Sequence, residues 1–307
     1  MEARVTVMRI AKVAVVAAVA VAVAIASAVV AIVYLLRRFR AREGFAEEPA
    51  EPTEAELKLA MDSGLIQLLS AHDTRMLLLS DPGGYVANMT SADLVARGAR
   101  SSAEYRERIG ELAHDFTEAE RHSIARAILS VQSWLTGAER AKRTLSGVNF
   151  AKLAKMPWRV AATAPGANGA AYEANLPHTR ADVVFVAPSL IPSGADVVSQ
   201  KRFAATLLHE KIHVYQRAHP QDIAAALDAE GYVRDSRRAR TPLVRANPDL
   251  DEWIYRDPEA GPNKGKPMVA LYASDTPAGI SDVTQPNAAA FEHPYERMAY
   301  RIAAMYG

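Results

Sequence analysis

The chain has 307 residues, no cysteine, 36 Lys and Arg against 35 Asp and Glu, and 50% hydrophobic residues. Disulfides, thiolate metal sites and a cysteine nucleophile are excluded, and the near-zero charge balance speaks against a nucleic-acid protein. Any metal has to be held by histidine and carboxylate. In chain order, residues 1–12 form a short basic segment with Arg4, Arg9 and Lys12. Residues 13–36 are almost wholly Ala, Val, Ile and Leu, long enough for a bilayer-crossing helix. The expectation is a single-pass membrane protein tethered by this segment. The competing expectation is a signal peptide cut near Ala26-Ser27-Ala28, but the apolar run continues well past that point. Four arginines follow the run (Arg37, Arg38, Arg40, Arg42) against three basic residues before it, so the orientation stays open.

Residues 37–56 are rich in Glu, Pro and Ala and read as a solvated linker. A helical subdomain is expected over 57–150. Within it Ser101-x-x-Glu104 and Thr117-x-x-Glu120 have the form of capping boxes, and the second opens a long helix ending at Gly137. His114, Asp115, Glu118 and His122 lie close together there. They suggest a second metal site, but a polar outer helix face is the plainer reading. From 151 to 307 the texture changes. Residues 158–162 and 181–187 read as strands separated by turn formers, followed by a helix carrying the histidines discussed below. Residues 223–227 make a short helix, 234–245 a basic surface loop, 253–255 and 268–272 short strands, and 294–306 a last helix with Pro294 in its first turn.

The segment around His209-Glu210-x-x-His213 carries the chemistry. Ala204, Leu208, Ile212 and Tyr215 recur at helical spacing, so the segment is a helix with a core-facing stripe. Residues four apart share a helix face, so the two imidazoles can grip one cation from the same side. Glu210 then stands beside the remaining coordination position, where a carboxylate can take a proton from water. This pattern resembles the zincin metallopeptidases. Its extended form, His-Glu-x-x-His-x-x-Gln from His209 to Gln216, resembles many predicted peptidases of bacteria and large DNA viruses. The resemblance reaches over the second half of the chain at most.

It implies an α+β fold: a mainly helical region, then a zincin-like domain over 151–307 with a small sheet ahead of the motif helix. It also implies one Zn²⁺, a peptide or protein substrate, Glu210 as general base, and a third metal ligand beyond His209 and His213. Pro294-Tyr-Glu296-Arg-Met-Ala299 resembles the Pro-x-Glu-x-x-Ala pattern of glutamate zincins, which puts Glu296 in that place. Glu292, Glu230 and Asp235 are alternatives. So is His219, by the spacing of the metzincins, although Gln216 stands where their turn needs glycine. An edge strand that binds substrate as an added strand is expected at 183–187 by the same resemblance. Tyr255, Arg256, Tyr272, His293 and Tyr295 are candidate donors to an oxyanion, and His178 a candidate residue on the substrate side. Three functions stand at this point: a membrane-tethered zinc peptidase, a zincin-like domain that binds without cleaving, and a structural membrane-anchored helical protein.

Overall fold

Residues 53–306 are described by the computed structural model, other than 138–139, 167–168, 195, 260–263 and 285–290. Its helices start on caps written into the sequence. α1 (Glu54–Asp62) opens on a complete capping box between Thr53 and Glu56, so the end of the expected linker is already a helix start. β1 (Ile66–Leu68), α2 (Ala71–Ser80), α3 (Ser91–Ala96) and α4 (Ser102–Glu111) follow, capped by Ser70, Thr90 and Ser101. Ser101 accepts the Glu104 amide, but Glu104 turns its carboxylate to the Arg100 amide, so that expected box is only half made. After β2 (Ala113–His114), α5 (Glu118–Thr136) begins on the full Thr117–Glu120 box and stops at Gly137.

A small hairpin, β3 (Thr144–Leu145) with β4 (Val148–Asn149), and the short α6 (Phe150–Lys155) lead to β5 (Trp158–Thr163). β6 (His178–Arg180) and β7 (Val183–Val186) complete the main sheet. Its order is β1-β5-β7-β6, with β2 pairing beside β1 along β5. β1 and β7 run parallel to β5, while β6 is antiparallel to β7.

Both faces of this sheet are covered, which is why its strands read as unbroken apolar runs. Val160, Ala162, Val184 and Val186 face one core with Ile124, Ile128 and Val131 of α5. Ala161, Val183 and Phe185 face the other, with Leu78, Tyr105 and Ile109. Strand alternation thus sends each neighbour to the opposite layer. The expected helical region therefore packs on the sheet of the expected second domain, and all described residues fall in one compact unit.

α7 (Val197–Ala218) is the motif helix, capped by Asp196 and buried along Phe203, Leu207, Leu208 and Ile212. α8 (Pro220–Ala229) follows directly. A second sheet is built from β8 (Val233–Arg237), β9 (Trp253–Arg256) and β10 (Pro267–Met268). β8 was expected as loop. Pairing with β9, and arginines 234 and 237 lying over the Trp253 ring, make it a strand. β11 (Leu271–Tyr272) and β12 (Val283–Thr284) form a small pair before α9 (Pro294–Tyr306). α9 packs against α7 through Met298, Ala299 and Ile302, and the side chain of Ala299 keeps the gap small.

The fold expectation needs one correction. The transmembrane helix placed at 13–36, with the basic segment 1–12 before it, lies outside the described residues. Among the described residues no helix is long and apolar enough to cross a membrane. The expected single-pass placement is therefore not supported by the structure. The described chain is a mixed helix-and-sheet unit.

The start of α9 is fixed by a buried ion pair. Arg297 donates from Nη1 and Nη2 to Asp257 at 3.0 and 2.8 Å, with side chains only 8% and 3% exposed. Burial of the pair means that removing one partner strands the other charge. Asp257→Ala is expected to destabilise the fold by about 3–5 kcal/mol in a denaturant titration.

Candidate metal centre

α7 and α9 bring three side chains to one point. His209 and His213 lie one turn apart on α7, and their Nε2 atoms are 3.0 Å from each other. Glu296, in the first turn of α9, puts Oε2 3.3 Å from His209 Nε2 and 3.8 Å from His213 Nε2. A tetrahedral ion with bonds of about 2.0–2.1 Å has ligand–ligand edges of about 3.3–3.4 Å. The three observed separations scatter around that edge, so the residues present fit a zinc ion. Nitrogen and oxygen donors are also the set that zinc takes when no thiolate is available.

The protonation of His213 follows from its neighbours. Gln216 donates from Nε2 to the Tyr295 carbonyl at 3.1 Å, which fixes the direction of its amide. Its Oε1 then faces His213 Nδ1 at 2.8 Å and can only accept. One proton therefore sits on Nδ1, which leaves Nε2 as the nitrogen that faces the shared position and gives up its proton to a cation. Such outer partners orient the imidazole and raise its basicity. Gln216→Ala is expected to weaken Zn²⁺ binding about 10–100-fold by chelator competition. His209 sits against the Tyr300 ring, 4.4 Å between centroids, with its Nδ1 buried and unpartnered.

Glu210 is 4% exposed, and its Oε2 has no hydrogen-bond partner. Its carboxylate, His213 and Asp249 form a second convergent trio, with ligand atoms within 4.8 Å of one another. Burial, then the Asp249 carboxylate, pushes the Glu210 carboxyl well above the usual range. Burial would raise Glu296 too, but His213 and His209 more than offset it and hold that carboxyl well below the usual range. For His213, burial acts downward, yet Glu296 and then Asp249 push the imidazole up to about 9.

The sign of the last shift sets a pH dependence. Unfolded histidine titrates near about 6.5, so the proton on His213 stabilises the cation-free fold fully below that pH. The contribution is lost as pH rises through about 9. Chelator-treated protein is expected to melt progressively earlier between these limits. Zinc displaces the same proton, so the stabilisation it adds should grow over the same interval.

The other proposed ligands are engaged elsewhere. Glu292 accepts from Arg245 and from Asn247. Glu230 pairs with Arg301 at 3.4 Å, and Asp235 with Arg256. His219 ends α7 with its ring 4.3 Å from Tyr215 and joins no three-ligand cluster among the described residues.

The expected oxyanion donors also have other partners. Tyr272 donates to Asp93 and Tyr255 to Asp251, at 3.0 and 2.7 Å. His293 Nε2 is 3.1 Å from Asp251, Arg256 donates to the Gly265 carbonyl at 2.8 Å, and the Tyr295 hydroxyl hydrogen-bonds to Asp251. His178 is buried against Phe185 with Nδ1 2.9 Å from the Leu176 carbonyl. His114 lies 3.9 Å from Glu120 and His122 3.4 Å from Glu118, and the two join no three-ligand cluster among the described residues.

The strand expected to be the edge, 183–187, is internal as β7, and β6 takes the edge. Thr179 of β6 donates its amide and its hydroxyl to Asp249 Oδ1 at 2.7 and 2.6 Å. Arg217, one turn beyond His213, braces this contact through Thr179 Oγ1 and the Pro248 carbonyl. Asp249 and Asn247 are turn-forming residue types, and nothing in their local sequence ties them to the centre. Tyr300 was not singled out, although its position four residues after Glu296 on the same helix face pointed to it.

No family model matches the chain, and no curated protein or solved structure is similar to it.

Proposed function

We propose that the protein is a zinc-dependent peptide hydrolase of zincin type. One observation carries the reading: His209, His213 and Glu296 converge at ligand spacing while the carboxylate of buried Glu210, one oxygen of it unpartnered, lies within 4.8 Å of His213. A bound Zn²⁺ supplies a Lewis acid for a carbonyl and lowers the pKa of water. The chain's own part is proton transfer and positioning. Glu210 accepts the proton of the attacking water and hands it to the leaving amine. Its buried setting, which favours the neutral carboxyl, suits that second step. Gln216 holds the His213 imidazole in register, and Glu296 supplies the anionic ligand.

A second reading, a zincin-like domain that binds without cleaving, has one observation in its favour. The outward amide of the edge strand, which an extended chain would pair with, is already bonded to Asp249. The two readings part on a mixture of unstructured peptides followed by mass spectrometry. The hydrolase reading requires new termini that vanish with a chelator and return with Zn²⁺. Intact peptides with zinc-loaded protein would leave only the binding reading.

A further inference from the structure

Glu296 has two oxygens and a soft terminal torsion, so by itself it does not fix which oxygen meets the imidazoles. Its Oε2 does so, and its Oε1 accepts from Asn247 Nδ2 at 3.2 Å. The same Nδ2 donates to Glu292 Oε1 at 2.9 Å. Asn247 Oδ1 accepts the Asp249 amide at 2.9 Å, closing a local turn. That backbone amide can only donate, so the direction of the Asn247 side chain is settled. Both of its N–H bonds point at carboxylates, which lowers the cost of holding Glu292 and Glu296 side by side.

The backbone that presents this amide is held on every side. The Ala246 amide donates to Asp93 Oδ1 at 2.8 Å, and its carbonyl accepts from Arg97 at 3.1 Å. Arg97 is itself buried against Glu173, with side chains 3% and 6% exposed. Arg245 pairs with Glu292, and Arg217 holds the Pro248 carbonyl. The donor at 247 is thus carried by a braced segment, tied to helices far earlier in the chain.

We propose that Asn247 is a positioning residue for the cation site: it binds Oε1 of Glu296 so that Oε2 faces His209 and His213. The proposal rests on the zinc reading of the site. Removal of the donor lets the carboxylate rotate, so a cation loses its fixed third ligand without losing any ligand residue.

The test uses the full chain as wild type, Asn247→Ala, Asn247→Ser and Glu296→Gln. Serine keeps an oxygen for the Asp249 amide, as in an ST-turn, but has no donor pair to offer the carboxylates. Zn²⁺ affinity is read by competition with a chromophoric chelator, ligation by the visible spectrum of bound Co²⁺, and the fold by melting of the metal-free protein. Both Asn247 variants should bind Zn²⁺ about 10–100-fold more weakly, as for a lost outer partner. Their Co²⁺ spectra should move toward that of Glu296→Gln. Unchanged affinity and spectrum in both variants overturns the proposal while the cation site stands. So does a loss in Asn247→Ala that Asn247→Ser restores, because the turn alone would then explain it, and so does a loss confined to variants that melt early without metal. Absence of Zn²⁺ and Co²⁺ binding by the wild type overturns the site itself, and this proposal with it.

Discussion

Glu210→Gln is expected to slow peptide hydrolysis about 10²–10⁴-fold while leaving zinc content intact, since a general base contributes a factor of that order. Glutamine has the shape of the carboxyl it replaces and no lone pair basic enough to take the proton of water. The residue is not one of the three convergent ligands, so the cation should stay. A further sign separates this variant from simple damage. Burial and Asp249 make an ionised Glu210 unfavourable in the cation-free fold, so the raised carboxyl costs stability once pH exceeds its unfolded value. Glutamine removes that cost. In chelator, Glu210→Gln should therefore melt above the wild type at pH 7–8 while being inactive with zinc. Activity near that of the wild type would remove Glu210 from the mechanism.

Glu296→Gln should have the larger effect on the cation. It deletes the only anionic member of the trio His209, His213 and Glu296 and leaves two imidazoles, one ligand short of the usual three. The loss in Zn²⁺ affinity should exceed the roughly 10–100-fold typical of an outer partner. The same change is visible without metal. Glu296 comes first among the charges holding the proton on His213, ahead of Asp249 and Glu210, while burial acts against it. With the carboxylate gone, the His213 imidazole should titrate below about 9 in a proton NMR titration, by more than the loss of Glu210 alone would give. A titration unchanged by the substitution would mean that α9 does not present Glu296 to α7 in solution.

How much of this was legible in advance depends on sequence distance. The motif helix, its two imidazoles and Glu210 follow from spacing within one turn of α7. Glu296 was reachable only through the resemblance of Pro294-Tyr-Glu296-Arg-Met-Ala299 to the glutamate-zincin pattern, with Pro294 and Ala299 fitting a helix start and a close helix approach. Gln216 was visible as a residue but its task was not, since the Tyr295 carbonyl that orients it lies 79 residues away. Asn247 and Asp249 were hidden for the same reason. Their side chains look like turn chemistry until contacts with Glu296 and Thr179 give them partners 49 and 70 residues off. Strand order is also a tertiary property. The run at 183–187 reads as a strand from its residues, but only the pairing of β6 on its far side makes it internal. Most of the region before residue 150 is helical as expected, but 66–68 and 113–114 within it are strands of the main sheet and 144–149 a hairpin. The packing of its helices on the sheet depends on which side chains of β5 and β7 face them, and one strand alone does not show that.

The most direct measurement is the zinc stoichiometry of the purified full-length chain after equilibrium dialysis against Zn²⁺, set beside His209→Ala and His213→Ala. One ion per chain in the wild type, and none in either variant, is the predicted result. A wild type that retains no zinc, or zinc that persists after both imidazoles are removed in turn, would contradict a cation held between α7 and α9.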